Sequence, residues 1–487
     1  MPSLSRKIIK SFSQIFTGQG IGFISGIFSG YFFALFLGPA AYGVWQTAKV
    51  FLTYGSFTSL GIPFVMRRDF ITLRAEGRTE EANRLAHVSM SYSFLVHPIF
   101  SLVFVGIAIF SEVSIAFRAS LVLVGLFYIV GIPEGIGQIL NRGINDYKTI
   151  GRNSIIYGVG TIFLVPFVYF FGFYALLAGY FVIAIIKSWY FYVKRPLDYK
   201  WVWDFPVLKK MIVIGFPLFL VTLTSILFTS VDRLLIAGLL DFENVGFYSL
   251  STFLAQPMTL FLSSFGIVIF TQLNECYGKS REPHVIEKQT YIPQKLFSYI
   301  LPPFIGMGIV ALPVLTSVLL PKYTEGIAAA QINIFAILFL KLAAYSSSGL
   351  FILDKQKYTA LSFFFAGSFK TICSYFALRA GYGIESVAVV SLIAYFTHNS
   401  MMLYHINRCL GNSIKIFFTR LHESLAAPLA ILVFCLLYLR YNGAIYTAMG
   451  IDNPWVQMGL GVLLTLIVGS GFLWQAHKMI KNLLRIK

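Results

Sequence analysis

Residues 153–186, NSIIYGVGTIFLVPFVYFFGFYALLAGYFVIAII, decide the class of fold, because this stretch contains no charged residue. A helix needs roughly 20 apolar residues to cross the hydrocarbon core of a bilayer. The stretch is therefore long enough for two crossings, with a natural break at Gly172. Its apolar residues are continuous and do not alternate with polar ones. Since lipid admits only helices and closed barrels, we predict helical crossings.

The same pattern extends over the whole chain of 487 residues. Charged residues make up 12% of it and hydrophobic residues 57%, whereas a soluble domain carries about 25% charged residues on its wetted surface. Apolar runs between charged or Pro- and Gly-rich breaks predict an all-α polytopic membrane protein with about fourteen crossings. The predicted crossings lie near 14–37, 42–66, 87–110, 117–141, 152–171, 174–194, 211–238, 245–273, 292–318, 327–353, 358–378, 384–407, 421–440 and 455–474.

Lysine and arginine predict the orientation of these crossings. With the N-terminus inside, alternate connecting segments hold 28 of the 38 basic residues, and the opposite segments hold four. Basic residues accumulate on the cytoplasmic side of membrane proteins, where they also meet anionic lipid. We therefore expect a multi-pass protein of the cytoplasmic (inner) membrane with both termini cytoplasmic. The net charge of +18 is then explained without nucleic acid as a partner.

Several classes of function lack their signatures in this sequence. The four cysteines form no CxxC pair and have no metal-ligand spacing, so neither a disulfide framework nor a metal site is predicted. No Walker, HExxH or Ser/His/Asp signature is present, and the external loops are too short for a folded catalytic domain. We expect a protein that is not an enzyme and that carries no cofactor.

Two similar turns predict an internal repeat. LGPAAYGVW at 37–45 separates the first two crossings, and LDFENVGFY at 240–248 separates the seventh from the eighth. Six crossings lie between them, so the two halves would repeat in parallel orientation, as in many transporters. The predicted domains are an N-terminal six-helix bundle (1–194), a basic linker (195–210), a second six-helix bundle (211–407), and two further helices with a basic tail (408–487).

These turns also carry a resemblance to a known family. LGPAAYG (37–43) resembles the LGPxxYG turn of polysaccharide transporters, and VDRLLIAG (231–238) followed by VGFY (245–248) resembles their second signature. The family is the O-antigen and exopolysaccharide flippase branch of the MOP superfamily, which also contains MATE drug exporters and lipid II flippases. The resemblance covers nearly the whole chain and weakens in the last two crossings.

The resemblance implies two six-helix bundles around a central cavity and transport by alternating access. The implied cargo is an oligosaccharide linked to polyprenyl diphosphate, such as an O-antigen or exopolysaccharide repeat unit, moved to the outer leaflet. The implied partners are this lipid-linked oligosaccharide, membrane lipids, a glycan polymerase and assembly proteins. Three alternatives stay open: a MATE-like ion-coupled multidrug exporter, a lipid II-type flippase, and a non-transporting scaffold of the glycan assembly complex.

Basic residues inside predicted crossings are the candidates for cargo binding. A Lys or Arg deep in a helix costs about 2.5–3.5 kcal/mol on insertion scales, so it is expected to face a cavity or a partner. An anionic diphosphate would be attracted to such cations. The candidates are Lys49, Arg233, Lys341 and Lys370, and for Lys341 and Lys370 structural pairing is an equal alternative. Replacing either lysine is expected to impair export without lowering protein level.

Three other side chains are candidates for coupling or gating. Glu134 lies in GIPEGIG (131–137), where glycine and proline allow the fourth crossing to kink and admit water. A carboxylate there could bind H⁺ or Na⁺, or pair with a lysine. Asp232 is adjacent to Arg233 and could brace it, while His97, beside Pro98, could titrate, although such a histidine is more often structural.

Overall fold

The computed structural model describes residues 2–144, 146–253, 255–256, 258–259, 262 and 283–485, and the regular elements within these ranges are helices. Two short 3-10 helices, Gly55–Ser59 and Pro321–Gly326, join longer ones. We number the described α-helices in chain order: α1 Pro2–Tyr54, α2 Ile62–Ala75, α3 Thr79–Phe110, α4 Ile115–Val130, α5 Ile132–Gly143, α6 Tyr147–Val193, α7 Phe205–Leu239, α8 Phe242–Tyr248, α9 Pro283–Leu319, α10 Ile327–Ile352, α11 Gln356–Arg379, α12 Ile384–Cys409, α13 Ile414–Ala448 and α14 Pro454–Arg485.

The helices confirm the predicted class of fold. Ten described helical segments are long and apolar enough to cross a membrane, and a bent pair makes up to eleven. Two of these helices each cover two predicted crossings, since α1 breaks at Gly38 (φ 72°) and α6 at Gly172 (φ 65°). Glycine adopts such positive φ angles at little steric cost. Most predicted crossings fall on one described helix or half-helix, whereas the second and the fourth are each divided between two helices. The eighth, 245–273, lies largely outside the described residues.

The distribution of side chains is that of a protein surrounded by lipid. Large apolar side chains are exposed on the outside of α6, among them Phe163, Phe170 and Phe171, each at least 70% exposed. Polar side chains of the same helix, such as Asn153 and Thr161, are buried inside. Apolar side chains can face hydrocarbon at no cost, whereas polar groups there need a partner. The few polar groups are therefore buried inside the protein and the apolar ones face outward.

The predicted second crossing, 42–66, is interrupted. Helix α1 ends at Tyr54, and α2 begins only at Ile62, after the 3-10 helix and two residues with positive φ, Leu60 and Gly61. At Gly61 the chain passes so close to α7 that a Cβ atom would lie 2.2 Å from the carbonyl oxygen of Gly215. Helix α2 then presents Val65, Met66 and Phe70 to the interior, and it is not among the candidate spans.

The chain divides into two compact units, one up to Ile226 and the other from Leu227. In unit 1, α1 packs mainly against α6, and α3 against α4. In unit 2, α10 packs against α12, and α9 packs against the last two helices, α13 and α14. The boundary between the units lies within α7, whereas the sequence predicted a linker at 195–210; the predicted domain limits and the central cavity stay predictions.

Candidate functional site

The bend in the fourth crossing places Glu134 at the start of a helix. Helices α4 and α5 meet at Gly131 with an angle of 42°, as the glycines and Pro133 of GIPEGIG predicted. Oε1 of Glu134 accepts hydrogen bonds from Nδ2 of Asn153 at 3.1 Å and from Nε2 of Gln138 at 3.3 Å. Nζ of Lys187 lies 2.8 Å from the same oxygen. Glu134 is therefore neutralised by a lysine of its own unit.

A row of aromatic rings leads from this ion pair to Lys49. Nζ of Lys187 lies 5.1 Å from the centre of the Tyr157 ring, whose own centre is 6.4 Å from that of Tyr180. Tyr180 contacts Trp45 at 4.6 Å between ring centres, and Nζ of Lys49 lies 5.9 Å from the Trp45 ring. Cations are attracted to the faces of such rings. The structure thus places Lys49 and Glu134 at the two ends of one polar and aromatic row inside unit 1.

Lys370 forms a second ion pair, in unit 2, where its side chain is fully buried. Its ammonium group donates hydrogen bonds to three oxygens: Oδ2 of Asp232 at 3.0 Å, the hydroxyl of Tyr395 at 3.1 Å and the carbonyl of Phe228 at 3.1 Å. Tyr248 donates to the same carboxylate oxygen at 3.0 Å. All three ammonium hydrogens are accounted for, so Lys370 lies within a packed network and not at a cavity surface.

Asp232, Arg233 and Lys341 are the other candidates in unit 2. Asp232 is paired with Lys370, and its Oδ1 accepts a hydrogen bond from the backbone N–H of Arg233 at 2.9 Å. The predicted brace between Asp232 and Arg233 thus involves the Arg233 main chain. Lys341, on α10, is half-buried. Within the described ranges it has no carboxylate within 4.0 Å, so its role in cargo binding stays a prediction.

Unit 1 contains a half-open cavity of about 370 Å³ that the sequence did not predict. Its walls come from the first 3-10 helix, α2, α3 and α5, with Thr222 of α7. Most of the lining is apolar, and its basic side chains are Arg67, Arg142 and His97. Nδ1 of His97 donates a hydrogen bond to the Ser93 carbonyl at 2.9 Å, and this bond holds the imidazole ring against its own helix. The ring also borders the cavity.

Sequence reasoning missed three of these residues. Arg67 and Arg142 follow apolar runs closely, so their charge was attributed to membrane topology alone. Lys187 lies near the cytoplasmic end of the predicted sixth crossing, where a lysine can extend to the membrane surface, so the sequence does not single it out. The available signal for Arg142 was its position immediately after the predicted fourth crossing, 117–141, which contains Glu134; the structure places both residues on α5. In the part of the chain that the structure describes, no group of three His, Cys, Asp or Glu side chains is arranged to hold a metal ion.

Comparisons with known proteins place the chain in a family. The model of a family described as polysaccharide biosynthesis protein matches residues 32–328. None of the curated proteins compared with the chain matches it. Among solved structures, lipid II flippase MurJ in an inward closed conformation superposes with a TM-score of 0.70 at 15% identity, covering 94% of this chain and 98% of MurJ.

Two further solved structures share the fold. An inward-facing multidrug resistance MATE family transporter of the MOP superfamily has a TM-score of 0.66 at 12% identity, covering 82% of this chain and 98% of that one. A MOP superfamily transporter from Pyrococcus furiosus, described as having a binding pocket of reverse polarity, has a TM-score of 0.56 at 14% identity, covering 83% and 95%. At these identities the similarity establishes the fold of MOP superfamily transporters.

Proposed function

We propose that this chain, which belongs to the polysaccharide biosynthesis protein family, is a flippase for a polyprenyl-diphosphate-linked oligosaccharide. Its cargo would be an O-antigen or exopolysaccharide repeat unit, moved across the cytoplasmic membrane to the outer leaflet by alternating access. Such transport involves no covalent chemistry, so the protein would act as a transporter and not as an enzyme. A glycan polymerase and assembly proteins would be its partners on the export route.

One observation favours an anionic cargo: the acidic candidates inside the membrane are already neutralised. Glu134 is paired with Lys187 in unit 1, and Asp232 with Lys370 in unit 2. Neither carboxylate is left to attract a cation, whereas the unit 1 cavity is bordered by two arginines. Cationic surfaces of this kind attract phosphates and acidic sugars.

The same observation weighs against the second candidate function, a MATE-like exporter of cationic drugs. That function would be favoured by unpaired carboxylates facing a cavity, and both acidic candidates carry a lysine partner instead. A lipid II-type flippase is the other candidate, supported by the structural similarity to MurJ. Because that similarity establishes the fold alone, the two lipid-linked cargoes must be compared directly in transport.

Energy for transport would come from an ion gradient, with H⁺ or Na⁺ as the candidate coupling ion. The Glu134 and Asp232 networks are the places where a proton or sodium ion would compete with a lysine for carboxylate oxygens. The basic residues of alternate connecting segments support cytoplasmic termini in the cytoplasmic membrane.

Deletion of the gene tests the proposal in the cell. We expect surface glycan to disappear and lipid-linked repeat units to accumulate on the cytoplasmic face, because synthesis continues while translocation stops. Surface glycan would be measured by staining, and the units by their resistance to an external glycosidase in intact spheroplasts. Complementation with the wild-type gene is the control. Normal surface glycan in a deletion strain without a second flippase would contradict the proposal.

A further inference from the structure

The cavity of unit 1 holds two positive charges without a counter-ion. Arg67, on α2, and Arg142, at the end of α5, both border it, and among the described residues neither guanidinium has a carboxylate within 4.0 Å. Nearby carboxylates in the sequence are engaged elsewhere. Asp69 is paired with Arg68 at 2.6 Å, and Asp146 accepts hydrogen bonds from the backbone N–H of Thr149 at 3.1 Å and from its hydroxyl at 2.6 Å. Glu134 is paired with Lys187 at 2.8 Å. This contrasts with the two paired networks inside the membrane.

The two guanidinium groups are close enough to affect each other. Burial of part of the Arg67 side chain and, next, the positive charge of Arg142 lower the pKa of Arg67, which remains charged. Two like charges on one cavity repel each other. A bound anion that carries two negative charges would attract both guanidinium groups and so offset their mutual repulsion.

Other donors on the cavity wall are already committed to the protein. The hydroxyl of Ser59 donates to the Ser56 carbonyl at 2.6 Å, that of Ser93 to the Ser89 carbonyl at 2.9 Å, and that of Tyr92 to the Thr58 carbonyl at 2.7 Å. The Gln138 amide donates to Glu134. The arginines therefore supply the charged donors that no carboxylate of the described residues engages, and the planar guanidinium matches two oxygens of a phosphate.

The rest of the cavity suits a phosphate joined to an apolar chain. Ile62, Phe64, Met66, Ile132, Ile136 and Ile139 form much of its wall. Its volume of about 370 Å³ is at the lower end of the range of about 300–1,000 Å³ for small-molecule sites, so it admits a head group and not a whole lipid-linked oligosaccharide. Both arginines also begin basic stretches, 67–86 and 142–152, that the charge distribution predicts to be cytoplasmic.

We propose that Arg67 and Arg142 form a binding site for the diphosphate group of the lipid-linked cargo, occupied on the cytoplasmic side before translocation. This inference rests on the proposed function and adds a site within unit 1 to it. The two guanidinium groups bind the diphosphate oxygens, and the apolar wall contacts the first part of the polyprenyl chain.

Binding of inorganic pyrophosphate to the purified full-length protein in nanodiscs tests the site, measured by isothermal titration calorimetry. The wild type is expected to bind, and the R67Q/R142Q double variant to bind at least about tenfold more weakly, because hydrogen bonds to charged groups are lost. Arg74→Gln is the matched control: Arg74 lies on the same helix, is exposed over the Phe70 ring, and does not border the cavity. Its affinity is expected to equal that of the wild type.

Absence of pyrophosphate binding, equal binding by the double variant, or an equal loss in Arg74→Gln would overturn the site. A melting temperature of the double variant equal to that of the wild type establishes that the loss is not due to unfolding. Translocation of lipid-linked oligosaccharide by the wild type is measured in parallel. Intact translocation without pyrophosphate binding overturns this inference alone, whereas absent translocation overturns the proposed function.

Competition experiments distinguish the sources of the anion. Polyprenyl diphosphate incorporated in the nanodisc is expected to displace pyrophosphate, while orthophosphate and phosphatidylglycerol at the same concentration displace little. Equal displacement by phosphatidylglycerol would identify a general site for anionic lipids, and equal displacement by orthophosphate a site for free phosphate. Either result would overturn the assignment to the cargo diphosphate.

Discussion

Charged residues inside the membrane are few in this protein, and each acidic candidate has a lysine partner. The sequence identified Glu134, Asp232 and Lys370 as residues that need an explanation. It could not identify which charge meets which, because Asp232 and Lys370 are 138 positions apart and on different helices. Their pairing depends on how helices pack, and local sequence pattern carries no information on that.

Full burial changes the expected effect of replacing Lys370. Breaking a buried ion pair on one side leaves an uncompensated charge and costs about 3–5 kcal/mol, whereas replacing both partners can be nearly neutral. We therefore expect Lys370→Met and Asp232→Asn each to lower the melting temperature and the amount of protein in membranes. The D232N/K370M double variant is expected to recover most of both. Thermal unfolding of the purified protein and immunoblots of membranes measure these effects.

Lys341→Met provides the comparison for this pair. Lys341 lies on α10 at a similar depth along its helix, but it is only half-buried and has no carboxylate within reach among the described residues. Its replacement is expected to leave stability unchanged, and any effect should appear in transport. A double variant as unstable as either single variant would show that Asp232 and Lys370 do not stabilise the protein as a pair.

Glycine determines where the long helices bend or stop. Apolar runs predicted the helices, and GIPEGIG predicted the bend at Gly131, because both signals are local. The interruption of the second crossing at 55–61 was missed, because residues 42–66 contain one charged residue, Lys49, and are long enough for a single crossing. Its cause is tertiary: the main chain at Gly61 passes directly against Gly215 of α7.

A methyl group at Gly61 tests this close approach. In Gly61→Ala the new Cβ would lie 2.2 Å from the Gly215 carbonyl oxygen, and φ of +84° is unfavourable for alanine by about 1–3 kcal/mol. We expect a lower melting temperature in detergent. Gly106→Ala, on α3, is the control, because nothing lies within 4 Å of its added Cβ, and alanine favours a helix. Equal melting temperatures for the two variants would contradict the described packing.

At the scale of the whole molecule, composition and resemblance predicted the class of protein and the superfamily fold. The match to the polysaccharide biosynthesis family and the similarity to MurJ and MATE structures confirm both. The cavity of unit 1 escaped prediction, because its lining comes from segments near 60, 90, 135 and 222 that only the folded chain brings together. From the sequence, its two arginines therefore indicate only the orientation of the crossings in the membrane.

Transport by the purified full-length protein in liposomes tests the central claim most directly. The measured quantity is the fraction of a fluorescent polyprenyl-diphosphate-linked oligosaccharide that becomes accessible to a membrane-impermeant quencher, with a cationic dye as the competing substrate and protein-free liposomes as the control. We predict translocation of the lipid-linked oligosaccharide well above the control, with no movement of the dye. Transport of the dye while the lipid-linked oligosaccharide stays in its original leaflet would contradict the proposed function.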